Sequence, residues 1–478
     1  MTAYANLGRF YINGEWVAPS DGASSIDVIN PATEASVAKV TLGTRQDAEK
    51  AISAARAAFP GFSAWTMAER LALLGRIRDL YESRMEDIAE AITMEMGAPT
   101  KMSRAEQAAS GLSHIEATMT ALKDFVFEEM RGTTLIVHEA IGVAGLITPW
   151  NWPMNQIASK VAPALAAGCT MVLKPSEIAP LSGILFAEIL HEAGVPAGVF
   201  NLVTGDGPGV GQVLSSHPDI DIVSFTGSTR AGILVAKSAA DTVKRVAQEL
   251  GGKSPNIILA DADFTSAVAT GVEACFGNSG QSCDAPTRML VPRDRHEEAL
   301  AIAKQTAQQL LTGDPLHPDT NLGPVISQVQ YDKIQGLIAS GIQDGAILVT
   351  GGRDRPEGLS HGFYVKPTVF GGVTPDMRIA REEIFGPVLA IMPYDTEEQA
   401  VEIANDTVYG LAAYVQSGDL EHGRVIARQM RAGQVHINYP DADMFAPFGG
   451  YKQSGNGREY ADWGMRDYLE TKALIGHG

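Results

Sequence analysis

Cys283 is the residue whose surroundings most favour chemistry. It lies in a polar, glycine-containing segment, 278–288, just ahead of a predicted strand, where a thiol can be exposed. Most free cysteines are buried and inert. The other two, Cys169 and Cys275, stand beside a predicted strand and on an apolar helical pattern, so we predict that both are structural. Cys283 is therefore the candidate nucleophile.

A thiol that attacks a carbonyl needs a donor for the oxyanion and, for hydrolysis, a base that activates water. Asn151 is a candidate donor because it lies in the tight turn 149–153, directly after a predicted strand. Alternatively, its side chain caps the next helix. Glu249 is a candidate base because the glycines at 251 and 252 let the chain turn sharply after it, although a loop glutamate can simply be solvated.

The elements that must position these residues follow an alternating pattern. From Gly142, short apolar runs alternate with amphipathic stretches, which predicts a parallel sheet with helical crossovers. The predicted strands are 143–147, 170–173, 199–203 and 222–225, and the helices are 156–167, 181–193 and 231–239. A second such region starts at Pro255, with strands at 256–259, 288–291, 347–349 and 388–392 and a helix at 295–311.

The first 150 residues follow other patterns. Asn13-Gly14 separates two short runs, 10–12 and 15–17, and predicts a hairpin with a type I′ turn. Helical periodicity covers 48–59 and 67–96 and stops at Gly97 and Pro99. The β-forming segment 133–147, which contains Gly142, predicts a hairpin that leaves the domain body.

Composition excludes several classes of protein. The chain has 478 residues, 45% of them apolar, and a formal charge of −19, which is unlike a nucleic-acid-binding protein. No apolar stretch reaches the roughly 20 residues of a membrane helix, and residues 1–17 do not resemble a secretory signal. Three cysteines fit a reducing compartment, so a cytoplasmic enzyme is expected. The scattered histidines predict no metal site.

Cys283, Asn151 and Glu249, with their surrounding sequences, together resemble the aldehyde dehydrogenase superfamily over essentially the whole chain. The resemblance implies an α/β protein with two Rossmann-like parallel-sheet domains, one for the cofactor and one for catalysis, and a small β oligomerisation arm. It also implies oxidation of an aldehyde to the acid through a thiohemiacetal and a thioester on Cys283. Asn151 and the backbone N–H of Cys283 would hold the oxyanion, and Glu249 would activate the hydrolytic water.

The resemblance also assigns a dinucleotide site. Lys174 and Glu177 would bond the adenosine ribose, Ser228 would lie near the pyrophosphate at a helix N-terminus, and Glu383 would hold the nicotinamide ribose. Ser228 alone would read only as a helix cap. The complete predicted set is Ile147, Trp150, Lys174, Ser176, Glu177, Gly207, Phe225, Gly227, Ser228, Leu250, Glu383 and Phe385.

The predicted cofactor is NAD, with NADP possible. A carboxylate at Glu177 would repel the 2′-phosphate of NADP. The glycines of 205–211 do not fit the Gly-x-Gly-x-x-Gly fingerprint in register and are expected to form a loop near the adenine.

The substrate is expected to be a medium or large apolar or aromatic aldehyde. By resemblance, the pocket residues are Trp152, Gln156, Ser282, Asp284 and Phe445. If Asp284, Asp441 and Asp443 face inward, they would disfavour a second substrate carboxylate.

The resemblance divides the chain into 1–122 and 142–250 for the cofactor, 251–450 for catalysis, and 123–141 with 451–478 as bridging segments. The arm would be 125–139 with 468–474, and a homodimer or homotetramer is expected.

Two alternative functions remain at this stage. A coenzyme A-acylating enzyme of the same fold would pass the thioester to the coenzyme thiol, but such relatives generally lack the base at Glu249. A catalytically silent binding protein would be expected to have lost Cys283 or Asn151, and both are present.

Overall fold

The strand Val143–Ile147 shows how the sequence builds the first sheet. In this computed structural model, which describes residues 5–478, its side chains alternate between two apolar clusters. Val143 and Ile147 join one cluster, whereas Ala144 and Leu146 join the other. Both faces are therefore covered, as a central parallel strand requires.

The first sheet is parallel at its centre and antiparallel at its edges. In spatial order its strands are Gly455–Asn456, Arg245–Glu249, Ile222–Thr226, Val143–Ile147, Thr170–Lys174, Phe200–Leu202, Phe10–Ile12 and Glu15–Val17. One face packs on the helices Arg45–Ser63, Gln212–Ser216 and Thr229–Ala239. The other face packs on Met67–Ser83, Met85–Met96, Ala109–Asp124, Pro153–Ala167, Leu181–Glu192 and Ala461–Asp467.

The second sheet is parallel except for one edge strand. Its strands, in order, are Ile347–Thr350, Thr368–Gly371, Val388–Tyr394, Arg288–Pro292, Pro255–Ile258, Ala412–Gln416 and Gln434–Ile437. Two apolar clusters again cover its faces. The accompanying helices are Phe264–Phe276, His296–Gln309, Gln328–Gln343, Arg378–Arg381, Glu397–Asn405 and Leu420–Ala427.

Two smaller sheets complete the fold. The arm sheet has the order Leu469–Ile475, Thr134–Ala140, Glu128–Arg131, and a separate hairpin pairs Ser24–Ile29 with Ser36–Leu42. The predicted α/β class with two parallel sheets is confirmed, and the predicted arm segments pair with each other. The Asn13-Gly14 hairpin is confirmed as well, with positive φ at both turn residues.

The hairpin predicted over 133–147 is wrong in its bounds. The hairpin turn lies at Gly132 and Thr133, and Val143–Ile147 belongs to the first sheet. Gly142 does not form the hairpin turn; it marks the entry into that sheet, where a Cβ would lie 1.8 Å from an Asp221 carboxylate oxygen.

The helix predicted over 67–96 is divided at Arg84, whose φ of −109° and ψ of 12° are not helical. Its guanidinium bonds Asp87 at 3.0 Å and Glu188 at 3.4 Å. Within residues 5–478, no helix is long and apolar enough to cross a membrane.

Candidate active site

The carboxyl ends of the first sheet's parallel strands meet at one edge. Ile147, Lys174, Thr226 and Glu249 are each the last residue of a strand. Ligands of open α/β sheets bind at such an edge. The loop that carries Cys283, between helix Phe264–Phe276 and strand Arg288–Pro292 of the second sheet, faces the same place.

A cavity of about 210 Å³ opens between the two sheets. The predicted site residues that line it are Trp150, Asn151, Gln156, Gly227, Ser228, Leu250, Cys283, Glu383 and Phe385. Residues that the sequence reasoning missed also line it, namely Pro149, Thr226, Gly251, Gln330 and Lys333. The structure therefore brings the candidate nucleophile, the candidate oxyanion donor and much of the predicted nicotinamide end into one space.

Cys283 is partly buried in this cavity. Its loop approaches the first sheet so closely that a Cβ at Gly252 would lie 2.2 Å from the Cys283 carbonyl oxygen. Burial raises the pKa of the Cys283 thiol well above its usual value, and the charges of Asp284, Glu383 and Glu249 raise it further. In this structure the thiol is therefore mainly protonated at neutral pH.

Alkylation of Cys283 by iodoacetamide is accordingly expected to depend steeply on pH. Only the thiolate reacts, so the rate should still rise about tenfold per pH unit between pH 8 and 9.5, where an ordinary thiol of pKa about 8.5 levels off. Mass spectrometry of the labelled peptide would follow the reaction, with Cys283→Ala as the unlabelled control. A rate that levels off between pH 8 and 9.5, as for an ordinary thiol, would contradict the raised pKa.

Asn151 does not cap the next helix. The residue before helix Pro153–Ala167 is Trp152, and no side chain caps that helix. Instead, the buried Asn151 amide donates a hydrogen bond of 3.0 Å from Nδ2 to the carbonyl oxygen of Gln281. An amide nitrogen carries two N–H donors, so one remains for a group bound beside Cys283.

Glu249 is not a solvated loop residue. It ends strand Arg245–Glu249, is 3% exposed, and its Oε2 atom has no hydrogen-bond partner in the described structure. It does not line the cavity; a Cβ at Gly449 would lie 2.7 Å from its Oε1 atom. Burial is the main reason that the pKa of Glu249 is raised well above its usual value, and Glu459 raises it further, while Lys160 lowers it.

Glu383 and Phe385 also line the cavity. Glu383 accepts a hydrogen bond of 2.9 Å from the Gly252 N–H, and burial raises its pKa. Phe385 has a positive φ of 59° and contacts Trp150 edge-on, with ring centroids 5.5 Å apart. Gln330 donates to the Phe385 carbonyl oxygen at 2.6 Å. Gln330 has no motif around it in the sequence, which is why it was missed.

The residues predicted to bind the adenosine ribose do not line the cavity, but they lie close to one another. Lys174 Nζ lies 3.1 Å from the Glu177 carboxylate and 3.0 Å from the Pro175 carbonyl oxygen. Gly211, which ends the turn Gly207–Gly211, approaches the Lys174 side chain, and Ser176 is buried in the turn before Glu177. The glycine-rich segment thus lies beside the predicted ribose site.

The turn after strand Ile222–Thr226 is shaped by one close contact. A Cβ at Gly227 would lie 2.6 Å from the Phe225 ring, so only glycine fits there. Ser228 caps helix Thr229–Ala239 and accepts a hydrogen bond from the Ala231 N–H. The predicted helix cap is confirmed, and the N-terminus of this helix lies exposed at the cavity.

Only some of the residues predicted to line the substrate pocket lie at or near the cavity. Trp152 Nε1 donates to Ser282 Oγ at 2.8 Å, next to Cys283, and Gln156 lines the cavity. Asp284 is partly buried, and burial raises its pKa. Phe445 is 49% exposed and does not line the cavity, and Asp441 and Asp443 are exposed.

The other two cysteines are completely buried, as predicted. Cys169 donates to the Tyr468 carbonyl oxygen at 3.3 Å, and Cys275 packs in the core of the second sheet. Burial raises the pKa of both thiols to about 12. Neither is placed to react.

The chain is similar to known proteins along nearly its full length. Residues 16–474 match the model of the aldehyde dehydrogenase family. A 3-succinoylsemialdehyde-pyridine dehydrogenase from a Pseudomonas species is 56% identical, covering 98% of both chains. A crystal structure of an aldehyde dehydrogenase C mutant from Pseudomonas syringae, in complex with NAD+ and octanal, is 55% identical with a TM-score of 0.98, covering 99% of this chain and 97% of that one.

A betaine aldehyde dehydrogenase from Staphylococcus aureus in complex with NAD+ is 37% identical, with a TM-score of 0.95, covering 99% of this chain and 96% of that one. The match thus holds in sequence and in structure, and it includes the segments that carry Asn151, Glu249 and Cys283. The chain belongs to the aldehyde dehydrogenase family.

Proposed function

We propose that the protein oxidises an aldehyde to its carboxylic acid with NAD, using Cys283 as a covalent nucleophile. The observation that carries this proposal is the shared cavity: Cys283, which is partly exposed whereas Cys169 and Cys275 are buried, lines it together with Asn151. The proposal includes the domain division predicted above, with the cofactor held by the first sheet and the nucleophile by the second.

The residues around the cavity fit a dinucleotide. Thr226 Oγ1 lies at the cavity, buried and without a hydrogen-bond partner in the described structure, so it is available to a polar ligand. Helix Thr229–Ala239 offers its N-terminus to a pyrophosphate, and Lys174 with Glu177 offers a donor and an acceptor to a ribose. Glu383 would take the second ribose. A bound nicotinamide dinucleotide supplies the hydride acceptor.

Cys283, Asn151 and Glu249 have separate roles in the proposed reaction. Cys283 loses its proton to water at the cavity and its thiolate attacks the carbonyl carbon, and the free N–H of Asn151 and the Cys283 backbone N–H would stabilise the oxyanion of the thiohemiacetal. Once hydride is lost, the thioester carbonyl is attacked by a water molecule whose proton Glu249 accepts, and the carbon–sulfur bond then breaks to release the acid and the Cys283 thiolate. Glu249 points toward Gly449 in this structure, so its side chain would rotate toward the cavity to do so.

Glu177→Ser is expected to raise the efficiency with NADP relative to NAD by about tenfold or more. The carboxylate would repel a 2′-phosphate, and its removal leaves Lys174 to attract that phosphate. The ratio of kcat/KM for the two cofactors is the measurement, and Glu192→Ser, an exposed glutamate at the end of helix Leu181–Glu192, is the charge-matched control. An unchanged ratio would remove Glu177 from the ribose site.

We propose a medium or large apolar or aromatic aldehyde as substrate. Trp152 beside Ser282 supplies an aromatic surface next to the nucleophile, and Tyr414, whose hydroxyl donates to the Asp284 carbonyl oxygen at 3.2 Å, stacks on His436 and Tyr439. The relatives' names point the same way: one acts on a pyridine-containing semialdehyde, and another was crystallised with octanal. Asp284 would disfavour a second carboxylate near Cys283.

A substrate panel tests the reaction and the substrate class together. Purified protein is assayed for cofactor reduction with octanal, benzaldehyde, pyridine-3-carbaldehyde and succinic semialdehyde, with and without coenzyme A. Turnover of the apolar and aromatic aldehydes without coenzyme A is the expected result. Turnover only with coenzyme A would favour the acylating reaction, and a preference for succinic semialdehyde would contradict the proposed substrate class.

We also propose that the arm sheet joins two copies of the chain. Its edge strand Glu128–Arg131 is unpaired on one side within the described structure, and Met130, Leu474 and Ile475 are exposed. A second sheet edge would cover these groups. Light scattering after size exclusion should show a dimer or tetramer, and a monomer at micromolar concentration would contradict this assignment.

A further inference from the structure

The helical segment beside the nucleophile loop contains a wide turn. Helices Thr100–Met102 and Ala109–Asp124 are joined by a π-helical turn, Ser103–Ala108. Such turns add a residue to a helix and recur at functional sites. The buried Tyr81 hydroxyl donates to the Ala108 carbonyl oxygen at 2.7 Å, at the end of this turn.

Gln107 is the side chain that this turn directs at the site. It is completely buried, and its Nε2 atom donates to the Asn151 carbonyl oxygen at 3.1 Å and to Asn278 Oδ1 at 3.3 Å. Each residue of an α-helix rotates the side-chain direction by about 100°. A regular helix through 103–108 would therefore aim residue 107 elsewhere.

Asn278 completes the link to the nucleophile loop. Its Nδ2 atom donates to the Asn151 carbonyl oxygen at 2.9 Å and to the Gln281 carbonyl oxygen at 3.3 Å, and Gln281 accepts from the Asn151 side chain. Asn278, Ser279 and Gly280 all have positive φ, and a Cβ at Gly280 would lie 2.1 Å from the Gly386 carbonyl oxygen. Such a strained loop needs its surroundings to hold it.

These amides connect three separate segments of the chain. Gln107 belongs to a helix, Asn151 to the turn after a strand of the first sheet, and Asn278 to the loop that carries Cys283. Their relative placement sets where the Asn151 amide stands with respect to the thiol. A displacement of about 1 Å between reacting groups can cost on the order of 100-fold in rate.

We propose that Gln107 is a positioning residue, which with Asn278 holds the Asn151 turn and the Cys283 loop together so that the oxyanion donor keeps its place beside the nucleophile. Gln107 contacts neither substrate nor cofactor in this role. The proposal rests on the proposed function, since the oxyanion exists only if Cys283 attacks a carbonyl.

Gln107→Met tests the proposal, because methionine keeps the length of the side chain and removes the donor. Single-turnover hydride transfer is expected to fall roughly 10- to 100-fold. Alkylation of Cys283 by iodoacetamide forms no oxyanion and should stay within about twofold of wild type. A merely structural role would slow both reactions together, so the ratio of the two rates is the decisive readout.

Ser103→Ala is the matched control. Ser103 is completely buried in the same turn, and its hydroxyl bonds Thr93 and Ala98; in the described structure it makes no hydrogen bond to Asn151 or the nucleophile loop. Its replacement should cost comparable stability and leave both rates unchanged. Gln107→Asn is the second variant, since its shorter amide cannot reach the Asn151 carbonyl and should show the same loss as Gln107→Met.

The outcomes separate the two proposals. One outcome is that the wild type is active and that Gln107→Met and Gln107→Asn transfer hydride as fast as Ser103→Ala. That result would overturn the positioning role alone. A parallel fall of hydride transfer and alkylation would overturn it as well. A wild type that oxidises no aldehyde would overturn the proposed function, and the positioning role with it.

Discussion

Cys283→Ala is expected to lower aldehyde oxidation by about 10⁴-fold or more, because alanine cannot form the covalent intermediate. The thiol lies in the cavity with Asn151 and Glu383, and removing one sulfur atom from a partly exposed position should leave the fold intact. The measurement is kcat/KM with the best aldehyde of the panel, together with the thermal unfolding midpoint.

Cys275→Ala provides the control for that experiment. Cys275 is buried in helix Phe264–Phe276, and its sulfur lies 3.8 Å from the Val388 carbonyl oxygen. Alanine there should lower the unfolding midpoint somewhat and preserve turnover. If Cys283→Ala retained more than about one hundredth of the wild-type activity, the covalent mechanism would fail.

Glu249→Gln is expected to reduce steady-state turnover about 10²- to 10⁴-fold, which is the usual contribution of a general base. The loss should fall on hydrolysis of the thioester, so the first turnover should still release about one equivalent of reduced cofactor per subunit. Stopped-flow absorbance would show this burst, followed by a slow phase. The absence of a burst would mean that Glu249 acts before the thioester forms.

Glu95→Gln is the control for removing a buried carboxylate. Glu95 is completely buried and accepts hydrogen bonds from the N–H groups of Leu181 and Ser182 at the start of helix Leu181–Glu192. This substitution should affect the stability of the fold and leave the ratio of the burst amplitude to the steady-state rate unchanged. The raised pKa of Glu249 also predicts that deacylation accelerates with rising pH, since only the carboxylate accepts a proton.

The strands of the first sheet could be predicted because their signals are local. Val143–Ile147 and Ile222–Thr226 are short β-forming runs with turn residues on both sides, and the structure reproduces them within one residue. The Asn13-Gly14 turn was predictable for the same reason. Such elements depend on propensities that act over a few residues.

Other elements depend on distant partners. No glycine or proline in the sequence marks the helix break at Arg84. Arg84 instead forms an ion pair with Glu188, which is far away in the sequence. The segment Arg245–Glu249 mixes polar and apolar residues and has no clear strand pattern in the sequence. It is a strand because it pairs with Ile222–Thr226 on one side and Gly455–Asn456 on the other. The sequence alone therefore predicts a loop position for Glu249, whereas the structure has it at a buried strand end.

The site shows the same division. Asn151, Cys283 and Glu383 stand in long motifs and could be found by resemblance. Gln107 and Gln330 stand in none, and their side chains make hydrogen bonds of 2.6 to 3.3 Å with backbone or amide groups far along the chain. Only the folded structure shows which carbonyl oxygens a buried glutamine can reach.

The pairing of Leu469–Ile475 with Thr134–Ala140 has a consequence for synthesis on the ribosome. Met465, Tyr468 and Leu469 complete the apolar cluster on one face of the first sheet, yet they are translated about 330 residues after the arm's other strand. At 5 to 20 residues per second, that face waits roughly 15 to 65 seconds for its last side chains. The strands and helices of the second sheet, all encoded in between, can fold first, so this face of the first sheet is among the last parts of the core to close.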